Sequence, residues 1–434
     1  MYILSSENEV ETSAVSAAEK SAPPASASAA AEVPKDPFFV PPPEQPTQKG
    51  PRGIRFDFND GARVLLPKGQ WHVQIEDDDS GNVLFVCDVD EGWVTSAKKY
   101  YVPFRIKVWD RKNLAKPLLD HVMDLKNKPV LIKFPVGTLG DLVGWFPYAE
   151  KFQQKHQCKL ECSLAQNILE LFRDQYKDML LSPAPDVKTT KPYASYRVGL
   201  FFRGEENHQP HDFRRVGLHR TAGYILGVDP AEVPPRLPED LPREIKEPYV
   251  CIATKATTLA KMWNNGFGWE LVIDYLKKQG YRVLCIDKSR TEGMGYVWHQ
   301  LPHDAEDFTG DRPLIERAAL LKHADFFVGL SSGLSWLAWA AGTPVVLISG
   351  FSLPNHEFTT PYRVINTHVC HGCIDATDVD FDHKDYLWCP RHKGDERQFE
   401  CTRAITGRQV IHAIERLMQD KGLKPQKQPA GKER

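Results

Sequence analysis

The chain has 434 residues, 41% hydrophobic and 26% charged, enough for two or three domains that each bury a core. Its 55 basic and 57 acidic side chains leave a formal charge of -2, which excludes the strongly basic footprint of a nucleic-acid or acidic-lipid binder. No apolar run is long enough to span a bilayer, and the first twenty residues carry acidic groups where an export signal needs basic and apolar regions, so a cytoplasmic protein is expected.

Residues 1–50 are rich in Ala, Ser and Pro and lack the large aliphatic residues that would offset the entropy of ordering them, which predicts a disordered tail. Over 51–125 short alternating runs such as "WHVQIED" and "NVLFVCDV" are separated by turn signals such as Asn59-Asp60-Gly61, the pattern of an antiparallel β-domain. From 126 to 237 the rhythm becomes strand, glycine turn, helix. "PVLIKF" reads as a first strand and "PVGTLGDLVGWFP" as the turn that opens a helix. A proline-rich stretch near 228–248 suits a linker. A second α/β unit, 238–365, runs through the strands "YVCIAT" and "YRVLCID" and on to "TPVVLIS". Two Rossmann-like halves facing a cleft make an α/β protein whose ligand site lies between them. The chain closes with a cysteine-containing segment, 366–405, and an amphipathic helix plus tail, 406–434, with Thr406 as the expected cap.

Three motifs in this frame carry chemistry. In the first, Gly137 and Gly140 allow a tight turn before a helix that begins near Asp141. Asp is an ordinary residue there because it offsets the helix dipole, but the same carboxylate at a strand's carboxyl end can take a proton from an attacking hydroxyl. The second is "IATKATTLAKMWNNG", in which Lys261 could neutralise a diphosphate leaving group and Lys255 is the competing cation. The third is the turn Ser331-Ser332-Gly333 before an apolar helix. It is either a serine-capped turn or a site where amides and hydroxyls receive phosphate oxygens. Asp287 at the end of "VLCID" could bind ribose hydroxyls, or be a plain turn residue.

The last quarter holds Cys370-x2-Cys373, then fifteen residues, Cys389, eleven residues and Cys401. Four thiols so close together in a reducing compartment predict a four-cysteine metal finger. His368, His371, His383 and His392 could substitute for a thiolate, but four cysteines already close a tetrahedral site, so the histidines are expected at the surface and the metal should be structural; an S4 set accepts zinc or iron. Phe381, Tyr386, Leu387 and Trp388 are expected to be exposed on this finger, where they could grip a neighbour.

The order "GxxGD", "KxW" and "SSGLSWLAWAAGTPVV" resembles the heptosyltransferase type of GT-B glycosyltransferase. With the four cysteines it resembles the bacterial autotransporter heptosyltransferases, the TibC-type family, over roughly residues 50 to 420. The resemblance implies a GT-B fold, an ADP-heptose donor, serine hydroxyls of an autotransporter passenger protein as acceptor, a dodecameric homo-oligomer, and structural iron rather than zinc on Cys370, Cys373, Cys389 and Cys401, with no catalytic metal. It also implies Asp141 as general base in an inverting displacement, Lys261 on the donor phosphates, and Thr138, Ser331, Ser332 and Gly333 where the donor is held. This chain has serines where the lipopolysaccharide enzymes have Asp-Thr before that glycine. The rival readings are a transferase acting on a lipopolysaccharide sugar and a non-catalytic metal-finger scaffold.

Overall fold

The computed structural model describes residues 40–134 and 137–425. Most of the tail expected over 1–50 lies outside them. Its last part is tied down: the Arg63 guanidinium donates to the Pro43 carbonyl at 3.0 Å, and Gln48–Lys49 pairs with the strand Arg55–Asn59.

Arg55–Asn59, Arg63–Leu66 and Gly92–Thr95 form antiparallel pairs. Their alternation buries Phe56, Phe58, Val64 and Leu66, as a strand with one core face requires. Asp57 is also buried and takes both arms of the Arg63 guanidinium at 2.7 Å, a bidentate pair that satisfies both charges. A second sheet orders Val83–Val89, Trp71–Asp77, Phe104–Asp110 and Leu119–Val122, all antiparallel. Its inner face carries Val73, Ile75, Ile106 and Val108.

The first α/β unit is continuous with the N-terminal strands. Arg55–Asn59 pairs in parallel with Ala194–Arg197, which leads through Pro129–Lys133 and Lys159–Ser163 to Leu180–Ser182. The 18-residue helix Leu139–His156 follows Pro129–Lys133. The second unit is a parallel sheet in the order Glu306–Asp307, Arg282–Cys285, Tyr249–Ile252, Phe327–Leu330, Val345–Ile348, Arg363–Val364. Tyr249–Ile252, Phe327–Leu330 and Val345–Ile348 are buried along their whole length, as expected of parallel strands covered on both faces. This two-unit arrangement is GT-B-like.

The cysteine segment folds onto the second unit. Phe351, Phe381 and Trp388 stack edge to face at 4.8–5.8 Å, and Tyr386, Trp388 and Phe399 join the core formed with Trp263, Trp269 and Ile414. The aromatic grip expected at the surface is therefore corrected: Tyr386 and Trp388 are buried in their own domain. A four-cysteine metal finger is also corrected, because the ligand atoms that converge in this segment include one cysteine only. Gly407–Asp420 then closes the core, its first turn held by a capping box between Thr406 and Gln409. Among the described residues no helix is long and apolar enough to cross a membrane.

Candidate active site

A cavity of about 550 Å³ lies between the two α/β units and is lined by both. Thr138 and Leu139 come from the first unit; Lys255, Lys261, Asp287, Ser332 and Gly333 come from the segments that follow strands of the second. All sit beyond the carboxyl ends of parallel strands, where open α/β sheets bind ligands.

The helices Leu139–His156 and Gly333–Ala340 meet at the cavity. A Cβ on Gly333 would come within 2.7 Å of the Leu139 Cβ, and one on Gly140 within 2.6 Å of Trp336. Glycine at these positions lets the two backbones approach side by side. Gly144 gives Trp336 the same room one turn later. Both helix starts therefore lie at one end of the cavity, where first-turn amides favour an anion.

Asp141 is partly exposed in the first turn. Its Oδ2 accepts from the Thr138 amide at 2.7 Å and from the Thr138 hydroxyl at 3.1 Å. The sequence left helix capping and proton acceptance as competing roles. The geometry shows the first while leaving Oδ1 with no hydrogen bond among the described residues.

The two candidate lysines separate clearly. Lys255 is buried and paired with Asp287 at 3.3 Å. That carboxylate, itself 2% exposed, also accepts from the Thr254 amide and hydroxyl and from the Lys255 amide at 2.9–3.2 Å. Asp287 thus holds the loop after Tyr249–Ile252 rather than standing free for a ribose. Lys261 makes no ion pair among the described residues and lies over the Phe351 ring at 5.3 Å. Burial lowers its pKa, while the charges of Asp141 and Glu357 push it back up. A cation short of partners and facing a cavity is suited to an anionic ligand.

Thr138, Lys261, Ser332 and Gly333 are thus brought together at the cavity, with Asp141 at its edge. Ser331 is not among its lining residues: the side chain is buried and its hydroxyl donates to Glu357. Sequence reasoning missed Glu357 and His356, which sit in "SLPNHEF" with no recognisable motif. His356 bonds Asp375 at 2.7 Å. Burial alone would lower its pKa, but Asp375 and Glu357 raise it above the usual histidine range. Asn167 and Glu170, from the helix Gln166–Phe172, also line the cavity and were not anticipated. Their positions on one helical face, three residues apart, were the available signal.

In the cysteine segment one sulfur, one imidazole and one carboxylate, from Cys370, His392 and Glu400, lie within 4.8 Å of one another. The expected cofactor site of iron on four cysteines is corrected by this set, and so is the closed tetrahedron it implied. The physical reason is the path of the loop after Cys389: it returns His392 and Glu400 to Cys370, and the Cys370 amide donates to Glu400 at 2.9 Å. Burial, with neighbouring cysteines second, pushes the Cys373 and Cys401 thiols up to about 12. The mixed S, N and O set still fits a first-row transition metal.

The chain matches known families and solved structures. Residues 50–112 match the family described as Glycosyltransferase TibC, N-terminal domain, and residues 221–383 match Glycosyltransferase family 9 (heptosyltransferase). The autotransporter heptosyltransferase BAHTCr of Citrobacter rodentium is 62% identical over 380 residues, covering 88% of this chain and 93% of that protein. The structure of TibC, described as a dodecameric iron-containing heptosyltransferase in complex with ADP-D-beta-D-heptose, superposes with a TM-score of 0.86 at 60% identity, covering 88% of this chain and all of that one. A more distant relative, BimC of Burkholderia thailandensis, is 43% identical over 87% of this chain and 88% of its own length and is described as an inactive autotransporter heptosyltransferase. With 62% and 61% identity to two autotransporter heptosyltransferases over 93% and 94% of their lengths, the chain belongs to that family of glycosyltransferases.

Proposed function

We propose that this chain moves heptose from ADP-heptose to serine hydroxyls of an autotransporter passenger protein, and that it works in the cytoplasm as a dodecamer. The observation that carries the reading is the meeting of Lys261, Thr138 and the Ser332-Gly333 helix start at one cavity, with Asp141 beside them. Nine free cysteines agree with a reducing compartment.

In the proposed step the acceptor oxygen bonds to the anomeric carbon of the heptose as the bond to the diphosphate breaks, which inverts that carbon. Asp141 takes the hydroxyl proton on Oδ1, the oxygen without a hydrogen bond among the described residues. The electron pair leaves with ADP, whose developing charge is met by Lys261 and by the amides that open Gly333–Ala340. Thr138 holds the carboxylate in place through two hydrogen bonds. Iron, which the TibC structure contains, would cross-link Cys370, His392 and Glu400 and so pin the loop between them.

The test is the intact mass of a passenger protein after incubation with this chain and ADP-heptose. A ladder of heptose additions is expected, and Lys261→Met should slow it by roughly a hundredfold or more. A passenger of unchanged mass, with donor shown to be intact, would refute the reading.

A further inference from the structure

Glu357 is a buried charge in the second unit that the reaction does not use. It is 2% exposed, lies in the loop after Val345–Ile348, and is not among the residues that line the cavity. Its Oε1 accepts from the Ser331 hydroxyl and, at 2.5 Å, from the Ser352 hydroxyl; its Oε2 pairs with Arg363 at 2.9 Å. Ser352 is anchored in turn by Ser349 at 2.7 Å. A carboxylate taken this far from water is costly unless its lone pairs are met, and here both oxygens are bonded. Ser331 immediately precedes Ser332 and Gly333, which line the cavity.

We propose that Glu357 is a positioning residue for the donor, fixing through Ser331 the turn that presents Ser332 and Gly333 to the diphosphate and placing a buried negative charge near Lys261. The inference rests on the reading that the cavity holds the donor's diphosphate. The charged and titratable groups near Lys261 are Asp141 from the first unit, His356 and Glu357 from one loop, and His383 from the cysteine segment. The two carboxylates act to keep Lys261 an ammonium against its burial. Glu357 itself stays ionised: burial opposes this, but His356, Arg363 and the two serine hydroxyls hold its pKa below the usual carboxylate range. Asp141 and Glu357 thus approach one lysine from different domains, one at the reacting end and one behind the phosphate turn.

The test is calorimetric titration of the full-length protein with ADP between about pH 7 and about pH 10, together with donor KM and kcat. Wild-type affinity should fall as the pH rises through the pKa of Lys261. Glu357→Gln keeps the size and one acceptor oxygen but removes the charge, so that fall should begin about one pH unit lower, roughly tenfold in alkaline affinity. Donor KM should rise with kcat at saturation largely retained. Ser331→Ala keeps the charge but cuts the tie to the turn. It should weaken ADP by a few-fold to roughly tenfold and leave the pH midpoint in place. Should Glu357→Gln fail to fold, Ser331→Ala decides alone, and unchanged ADP affinity in it overturns the proposal. A folded Glu357→Gln with wild-type affinity and midpoint overturns it equally. If wild type binds no ADP, or Lys261→Met binds it as tightly as wild type, the donor-site reading itself fails whatever Glu357 does.

Discussion

The donor cavity and the cysteine segment both attract attention in the sequence, yet their polar groups are used in opposite ways. At the cavity, among the described residues, Lys261 lacks an ion pair and Asp141 accepts hydrogen bonds on one of its oxygens only. In the cysteine segment the charges are spent on one another. Lys393 pairs with Asp385 at 2.6 Å, and Asp375 is bonded to His356 at 2.7 Å. Groups left uncommitted beside a cavity are available to a ligand, whereas groups that satisfy one another hold a loop in shape.

The sharpest way to break this contrast is to change Asp141 without removing its cap. Asp141→Asn retains an oxygen for the Thr138 amide, so the protein should melt near wild type while heptose addition falls by about 10²–10⁴-fold. Asp141→Ala should lose turnover equally and cost about 1 kcal/mol of stability as well. Wild-type turnover by the Asn variant, read from passenger mass, would reduce Asp141 to a helix cap.

The close approach of the two helices is tested by Gly140→Val. Its new side chain would meet the Trp336 ring, which the Gly140 Cβ position already approaches at 2.6 Å, and the urea midpoint should show a loss of about 1–3 kcal/mol. On the other side of the contrast, Cys370→Ser should abolish the iron proposed for this segment, read by elemental analysis, while turnover per folded subunit stays near wild type. Normal metal content would remove Cys370 from the donor set, and lost turnover in folded protein would make the segment catalytic.

The smallest effect should come from Glu232, which reaches from the proline-rich stretch to His219 at 3.0 Å and to the Thr359 amide at 2.9 Å. Burial would raise its pKa, but His219 and Thr359 more than reverse this and the pKa is lowered on folding. Such a carboxylate adds stability above the ordinary glutamate range, and that stability is lost as pH falls through the lowered folded value. Glu232→Gln should therefore cost on the order of 1 kcal/mol at neutral pH and flatten the acid side of the melting profile. An unchanged acid limb would show that Glu232 does not strap the units together.

Much of the site was legible because its parts lie in order at strand ends. The glycine turn before Asp141, the lysine after "YVCIAT" and the Ser-Ser-Gly turn each follow a strand, and parallel topology brings strand ends to one edge. Side-chain direction was not legible. Ser331 and Ser332 are adjacent in sequence, yet one bonds Glu357 and the other faces the cavity. The cysteine spacing likewise gave proximity along the chain but not the return of His392 and Glu400 to Cys370. Tyr386 and Trp388 stand among charged residues, which suggested exposure, but a short segment can turn its rings onto a neighbouring core. Alternation identified the N-terminal strands as sheet, but a period of two does not say which strand lies alongside.

That last pairing bears on how the chain can be cut. Arg55–Asn59 is the parallel neighbour of Ala194–Arg197, so a fragment starting at the first α/β unit would carry a bare strand edge into solution, a template for sticking to other copies. Dissecting this enzyme into pieces, or grafting its front end onto another transferase, calls for moving the N-terminal strands and the unit they border as a single cassette.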